Sequence, residues 1–142
     1  MTAVLEGITV RTITTDRLTT RVLFAGPDDG IPVLFIHGNF SSATWWEQTL
    51  LALPPGYRGI APDQRGYHGA DPGAKIDATR GMRDFVDDAL ALMDALGHDR
   101  FHLVEIERLR HVVVGTGVQT GDAIARLRAG GEQEHRRPVA CG

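Results

Sequence analysis

The sequence at residues 32–38 reads PVLFIHG. Its first five residues form an uninterrupted apolar run, which is typical of a strand covered on both faces, as the strands of parallel sheets are. The glycine that follows His37 permits a sharp turn and lets the backbone pass close to a bound molecule. We therefore predict a central parallel strand that leads into a functional loop.

The flanking sequence predicts an antiparallel hairpin before this strand and alternating helices and strands after it. The first arm alternates in part, with Ile8, Val10 and Ile13, the second is rich in Thr, Val and Phe, and a turn at residues 15–17 separates them. Strand, helix, strand order calls for parallel pairing, so the fold class is α/β. The predicted strands are residues 4–13, 18–25, 32–36, 57–61 and 101–104, and the predicted helices are residues 43–53 and 77–97.

Length, composition and charge limit the functions that the chain can have. At 142 residues it is long enough for one domain with an apolar core. A net charge of −3 gives no general attraction to nucleic acid or anionic lipid, and no apolar run approaches the roughly 20 residues that span a bilayer. The first residues lack the basic start of a secretory signal, so we expect a cytoplasmic protein. Cys141 is the single cysteine, which excludes an internal disulfide.

Two further motifs complete a pattern that resembles the α/β-hydrolase family over about residues 4–104. The run continues through residues 34–39 as LFIHGN, a Trp pair stands at residues 45–46, and residues 61–67 read APDQRGY, closing on Ala70 and Asp71. The resemblance implies hydrolysis of an ester, amide or similar bond in a small-molecule substrate, through an acyl-enzyme intermediate. We expect no cofactor and no metal.

The loop after the central strand is the candidate substrate side of the site. By resemblance, the backbone N–H of Asn39 is one donor of the oxyanion hole, where negative charge develops in the transition state. His37, Gly38 and Phe40 lie on the same loop. The Asn39 side chain also resembles that of the branch that cleaves carbon–halogen bonds, where it helps to hold the halide. A structural or solvent-facing Asn is the competing interpretation.

Asp63, Arg65 and Gly66 follow the second parallel strand, and we interpret them as structural. A buried Asp can accept hydrogen bonds from loop amides, and an Arg can tie a loop to neighbouring carbonyl groups. His68 on the same loop is expected to be solvated or packed rather than catalytic.

Three carboxylates, Asp84, Asp87 and Asp88, lie on one face of the second helix, which could suggest a metal site. A metal ion prefers ligands that converge from several elements. We therefore predict a solvated helix face.

The resemblance breaks directly after residue 104. Where the family places glycine, any residue, the nucleophile, any residue and glycine, residues 105–109 read EIERL, with Glu107 at the nucleophile position. Bulky charged neighbours are incompatible with the strained backbone of that turn. Ser41 and Ser42 are the only serines, and neither has glycines on both sides. No nucleophile, acid or catalytic His can be identified, so enzymatic activity stays an open question.

Weaker patterns remain near the end of the chain. His111, Asp122 and His135 have the residue types of a catalytic relay without the family spacing. Residues 112–121, VVVGTGVQTG, superficially resemble a dinucleotide-binding turn, but the second strand and its acidic residue have no room. We expect a strand at residues 110–114, a short helix at residues 122–128 and disorder after residue 130.

Together these patterns predict a partial α/β-hydrolase-like sheet, with an antiparallel N-terminal hairpin followed by parallel strands and crossover helices. Residues 1–104 form the hydrolase-like N-terminal portion, and residues 105–142 form a divergent, partly disordered C-terminal tail. We expect a truncated hydrolase that is inactive as an isolated chain. The alternative is a non-catalytic binding or interaction module on the same fold, with self-association through an exposed sheet edge.

Overall fold

A computed structural model of the chain describes residues 3–105 and the backbone of residues 125–128. These residues contain two α-helices, each preceded by a 3₁₀ turn, and neither helix is long and apolar enough to cross a membrane. The strands are β1 (Thr9–Thr14), β2 (Thr19–Ala25), β3 (Ile31–Ile36), β4 (Tyr57–Pro62), β5 (Arg100–Glu105) and β6 (Ala125–Arg128). The helices are α1 (Glu47–Leu51) and α2 (Arg83–Ala95), and the 3₁₀ turns are Ala43–Trp46 and Ala78–Arg80.

The strands form one mixed sheet in the order β1-β2-β4-β3-β5-β6. β1 and β2 make the predicted antiparallel hairpin, in register from Thr14 opposite Thr19 to Thr9 opposite Phe24. β3 lies in the centre and pairs in parallel with both β4 and β5. The predicted α/β architecture is therefore confirmed. Because parallel strands share a direction, the ends of β3, β4 and β5 meet at one side of the sheet, which we call the carboxyl edge.

Alternation along the strands divides the core into two layers, since successive side chains of a strand point to opposite faces. On β3, the buried Leu34 faces one layer, and its buried neighbours Val33 and Phe35 face the other. The first layer packs against Leu92 and Met93 of α2. The second packs against Trp46 and Leu50, next to the carboxyl-edge loop that follows β3.

Asp84 and Asp88 of α2 are not part of the solvated face that we predicted. Asp84 and Asp88 are 8% and 7% exposed. Asp88 accepts from Arg17 Nε at 2.8 Å and from Arg65 Nε and Nη2 at 2.7 and 2.8 Å. Asp84 accepts from Arg17 at 3.0 Å and from Arg80 at 2.8 Å. Helical spacing could not reveal these partners, because Arg17 and Arg65 precede Asp88 by 71 and 23 residues.

The prediction of a helix at residues 122–128 is wrong for residues 125–128. This segment is β6, which pairs antiparallel with β5 from Leu103 opposite Ala125 to Arg100 opposite Arg128. Backbone pairing at the β5 edge outweighs the weak local helix preference of so short a segment. The predicted strand at residues 110–114, the glycine-rich residues 112–121, Glu107, His111, Asp122 and His135 all lie outside the described residues.

The burial of Asp88 leads to a prediction for Asp88→Asn, which removes the charge and keeps the shape. Two guanidinium groups lose their shared partner, so we expect the free energy of unfolding to fall by roughly 2–4 kcal/mol. Urea denaturation of purified chains measures the change. Asp94→Asn on the same helix, at an exposed position, is the matched control and is expected to stay within about 0.5 kcal/mol of wild type. Equal destabilisation of both variants would contradict a structural role for this ion-pair network.

Candidate functional site

The carboxyl edge carries two adjacent loops, and the second holds the first in place. The first, which we call the 37–43 loop, follows β3 and contains the predicted substrate-side residues. The second follows β4 and begins with Asp63 and Gln64. Gln64 binds the start of the 37–43 loop, and Asp63 binds its end. The loop is therefore fixed at both ends by two consecutive residues.

His37 is fully buried at the start of the loop, and both of its ring nitrogens are used. Nε2 accepts from the backbone N–H of Gln64 at 3.0 Å, so the ring proton lies on Nδ1 and is donated to the Gly38 carbonyl at 2.9 Å. Burial lowers the pKa of His37, which favours this neutral form. His37 is therefore a structural residue and not a free general base.

The bond from His37 to the Gly38 carbonyl also orients the next amide group. In a trans peptide the C=O of one residue and the N–H of the next point in opposite directions. With the Gly38 oxygen turned towards the His37 ring, the Asn39 N–H points away from it. Among residues 3–105 no backbone or side-chain group accepts from this N–H. An oriented donor without a partner in the described part of the chain thus lies at the carboxyl edge.

Asp63 fixes the other end of the loop from a fully buried position. Its Oδ1 accepts from the Ala43 N–H at 2.8 Å, and its Oδ2 accepts from Arg21 Nε at 2.7 Å. Gly69 makes room for this carboxylate, because a Cβ at that residue would lie 1.8 Å from Asp63 Oδ2. The pairing with Arg21 and the amide compensate a charge that would otherwise be buried alone.

Arg65 and Gly66 shape the loop after β4 and do not face the 37–43 loop in any described contact. Arg65 binds both oxygens of Asp88 and reaches the Lys75 carbonyl at 3.3 Å. We expected carbonyl partners, whereas the carboxylate of α2 is the closer one. Gly66 has φ +82°, a left-handed conformation that favours glycine.

Asn39 and Phe40 form the exposed tip of the 37–43 loop. The Tyr67 hydroxyl donates to Asn39 Oδ1 at 2.7 Å, and the Tyr67 ring meets His37 edge to face, with centroids 4.7 Å apart. Phe40 has φ +57° and a fully exposed side chain, and neither feature stabilises the fold. The sequence pattern predicts no role for Gln64 or Tyr67, although both belong to the motif at residues 61–67.

Within the described residues, no hydroxyl group forms a hydrogen bond with an imidazole ring. Ser42 Oγ forms its hydrogen bond with Thr44 Oγ1, and the His37 ring is already bound on both sides. Glu105 pairs with Ile36 in register, which places it level with the start of the 37–43 loop, and burial raises its pKa. The same part of the chain holds no group of three or more His, Cys, Asp or Glu side chains that could bind a metal ion.

Residues 31–104 match the sequence model of a protein family, the alpha/beta hydrolase fold family. Epoxide hydrolase 1 of Siraitia grosvenorii is 38% identical over 102 residues, covering 70% of this chain and 31% of the relative. A putative carbamate hydrolase of Variovorax paradoxus is 42% identical over 80 residues, covering 56% and 29%.

This chain is also similar to a solved structure of an epoxide hydrolase. An epoxide hydrolase from Vigna radiata superposes with a TM-score of 0.62 at 34% identity, covering 70% of this chain and 32% of that one. The chain therefore spans about a third of the length of the relatives that it matches.

The lowered pKa of His37 leads to a prediction about stability and pH. In the unfolded chain the His37 ring takes up a proton at the ordinary pKa of 6.5, whereas in the folded chain burial lowers its pKa below that value. Stability from the neutral ring is therefore complete above that pH and is lost as the pH falls below it. We expect the urea midpoint to drop between about pH 7.5 and pH 5.5.

His37→Asn tests the cause, because its amide can still donate to the Gly38 carbonyl but offers Gln64 no ring nitrogen. We expect a loss of about 1–3 kcal/mol at neutral pH and a smaller drop towards acid than in wild type. The ¹⁵N shifts of the wild-type ring provide a control and must report the proton on Nδ1. An unchanged pH dependence in the variant would assign the effect to another group.

Proposed function

This chain belongs to the α/β hydrolase fold family, and from that membership we propose that residues 31–104 supply the oxyanion and substrate side of a small-molecule hydrolase. The observation that carries the proposal is the Asn39 N–H, which is oriented by the bond from His37 to the Gly38 carbonyl and has no acceptor among residues 3–105. The relatives are named as hydrolases of epoxides and of a carbamate. For this chain we propose an ester, amide or similar bond as the class that is cleaved.

The Asn39 N–H would act on the oxygen that becomes negative as the bond is attacked. A fixed donor stabilises this charge without having to reorganise during the reaction, which is the main advantage of an oxyanion hole. His37, Gln64 and Asp63 provide the fixation through the bonds at the two ends of the 37–43 loop. In this proposal His37 is a positioning residue that never exchanges a proton with substrate.

Gly38 and Phe40 fit the substrate side of the same loop. Gly38 carries no side chain, so a substrate can approach the backbone beside Asn39. Phe40 combines a positive φ with a fully exposed aromatic ring, and both are unfavourable for the fold alone. We propose that this ring contacts an apolar part of the substrate.

A chimera tests the role of Asn39 in a complete enzyme. Residues 31–104 would replace the matching segment of the Vigna radiata epoxide hydrolase, whose structure shows where the segment fits. Asn39→Pro removes the N–H, and we expect it to lower kcat of the chimera by roughly 10²- to 10³-fold. Asn39→Ala keeps the backbone N–H and loses only the side chain, so it is the matched comparison, and its kcat is expected to fall much less than that of Asn39→Pro. Equal losses in the two variants, at equal melting temperature, would refute the amide role.

We further propose that the isolated chain does not turn over substrate. Residues 105–109 read EIERL at the place of the nucleophile turn, and the two serines lack flanking glycines. The sequence therefore keeps one donor of the oxyanion hole without an attacking group.

Incubation with activated aryl esters checks this prediction directly. We expect no burst and no steady turnover above a heat-killed sample, because an oxyanion donor alone cannot form a covalent intermediate. Clear turnover that a single substitution abolishes would show that a nucleophile had been overlooked.

The exposed strand β1 favours a second candidate, the non-catalytic interaction module. β5 is covered by β6, whereas five of the six β1 residues are exposed and β1 ends the sheet on the other side. An uncovered edge strand can pair with another chain. A discrete dimer in light scattering would support this alternative, and a monomer at all concentrations would remove it.

A further inference from the structure

Tyr67 is a rigid donor aimed at one atom of an exposed side chain. Its hydroxyl donates to Asn39 Oδ1 at 2.7 Å. The ring is held edge to face against buried His37, at an interplanar angle of 83°. The turn that carries Tyr67 is closed by a bond from its N–H to the Gln64 carbonyl at 3.0 Å. Tyr67 therefore links the loop after β4 to the tip of the 37–43 loop.

A bond to Asn39 Oδ1 decides where the rest of that side chain points. A carboxamide has one acceptor end and one donor end, and fixing the oxygen turns the two N–H groups of Nδ2 the other way. Among residues 3–105 no group accepts from Asn39 Nδ2. Residue 39 therefore offers two separate donors, its backbone N–H and its side-chain NH₂.

Building on the proposed oxyanion role of Asn39, we propose that Tyr67 is a positioning residue for that role. By holding Oδ1 it directs the Nδ2 hydrogens of Asn39 at the same anionic oxygen that the backbone N–H binds. The ligand class is a carboxylate, or the oxyanion that forms on a small carbonyl substrate. Without Tyr67, the exposed side chain would have to become ordered on binding, which opposes association.

Acetate titration of the ¹⁵N-labelled chain, at constant ionic strength, tests the proposal without any need for turnover. In wild type we expect the backbone and side-chain amide signals of Asn39 to shift together along one saturation curve. Tyr67→Phe removes the hydroxyl and keeps the ring against His37. We expect it to abolish the side-chain shift and to raise the apparent Kd for acetate by roughly threefold to tenfold. Tyr57→Phe is the matched control and is expected to behave as wild type.

The possible results separate this proposal from the function on which it rests. If only the backbone signal of Asn39 shifts in wild type, the role of Tyr67 is wrong and the oxyanion role survives. If neither signal shifts, both are wrong. Retention of the side-chain shift in Tyr67→Phe, or its loss in Tyr57→Phe, would also overturn the positioning role.

Discussion

A carboxylate with no exposure to water must find partners inside the protein, and for Asp63 these partners come from two other elements. Arg21 of β2 supplies a guanidinium group, and the Ala43 N–H supplies a backbone donor from the end of the 37–43 loop. An unpaired charge at this depth would be strongly unfavourable. The need to pair the Asp63 charge therefore holds β2, the end of β4 and the loop after β3 next to one another.

The neighbouring residue completes the arrangement. Gln64 places its backbone N–H on the His37 ring, and this fixes the ring tautomer as well as its position. The proton on the other nitrogen then turns the Gly38 carbonyl inwards. Two bonds between backbone groups and the His37 ring thus set the direction of the Asn39 N–H from the position of Gln64, just after β4. Such a fixed loop can also tolerate the unusual φ of Phe40.

The sequence predicted the sheet well because its signals are local. The apolar run at residues 32–36 and the hairpin pattern before it identify the strands, and the order of elements identifies the parallel pairing. The roles of Gln64 and Tyr67, and the burial of Asp84 and Asp88, depend on partners far away in the chain. Spacing along the helix places Asp88 among polar residues and so predicts that it faces water. The structure shows instead that Arg17 and Arg65 pack against it and bind its carboxylate.

The bonds that hold the two ends of the 37–43 loop involve either the backbone or the side chain of its first residue, His37. The side chains of Asn39 and Phe40 take no part in the bonds at the loop ends, and Asn39 bonds only Tyr67 at the tip. Natural or laboratory diversification at these two positions can therefore alter what the loop recognises while leaving its shape intact. The same scaffold could serve new chemistries through changes at its tip, with the anchoring residues inherited unchanged.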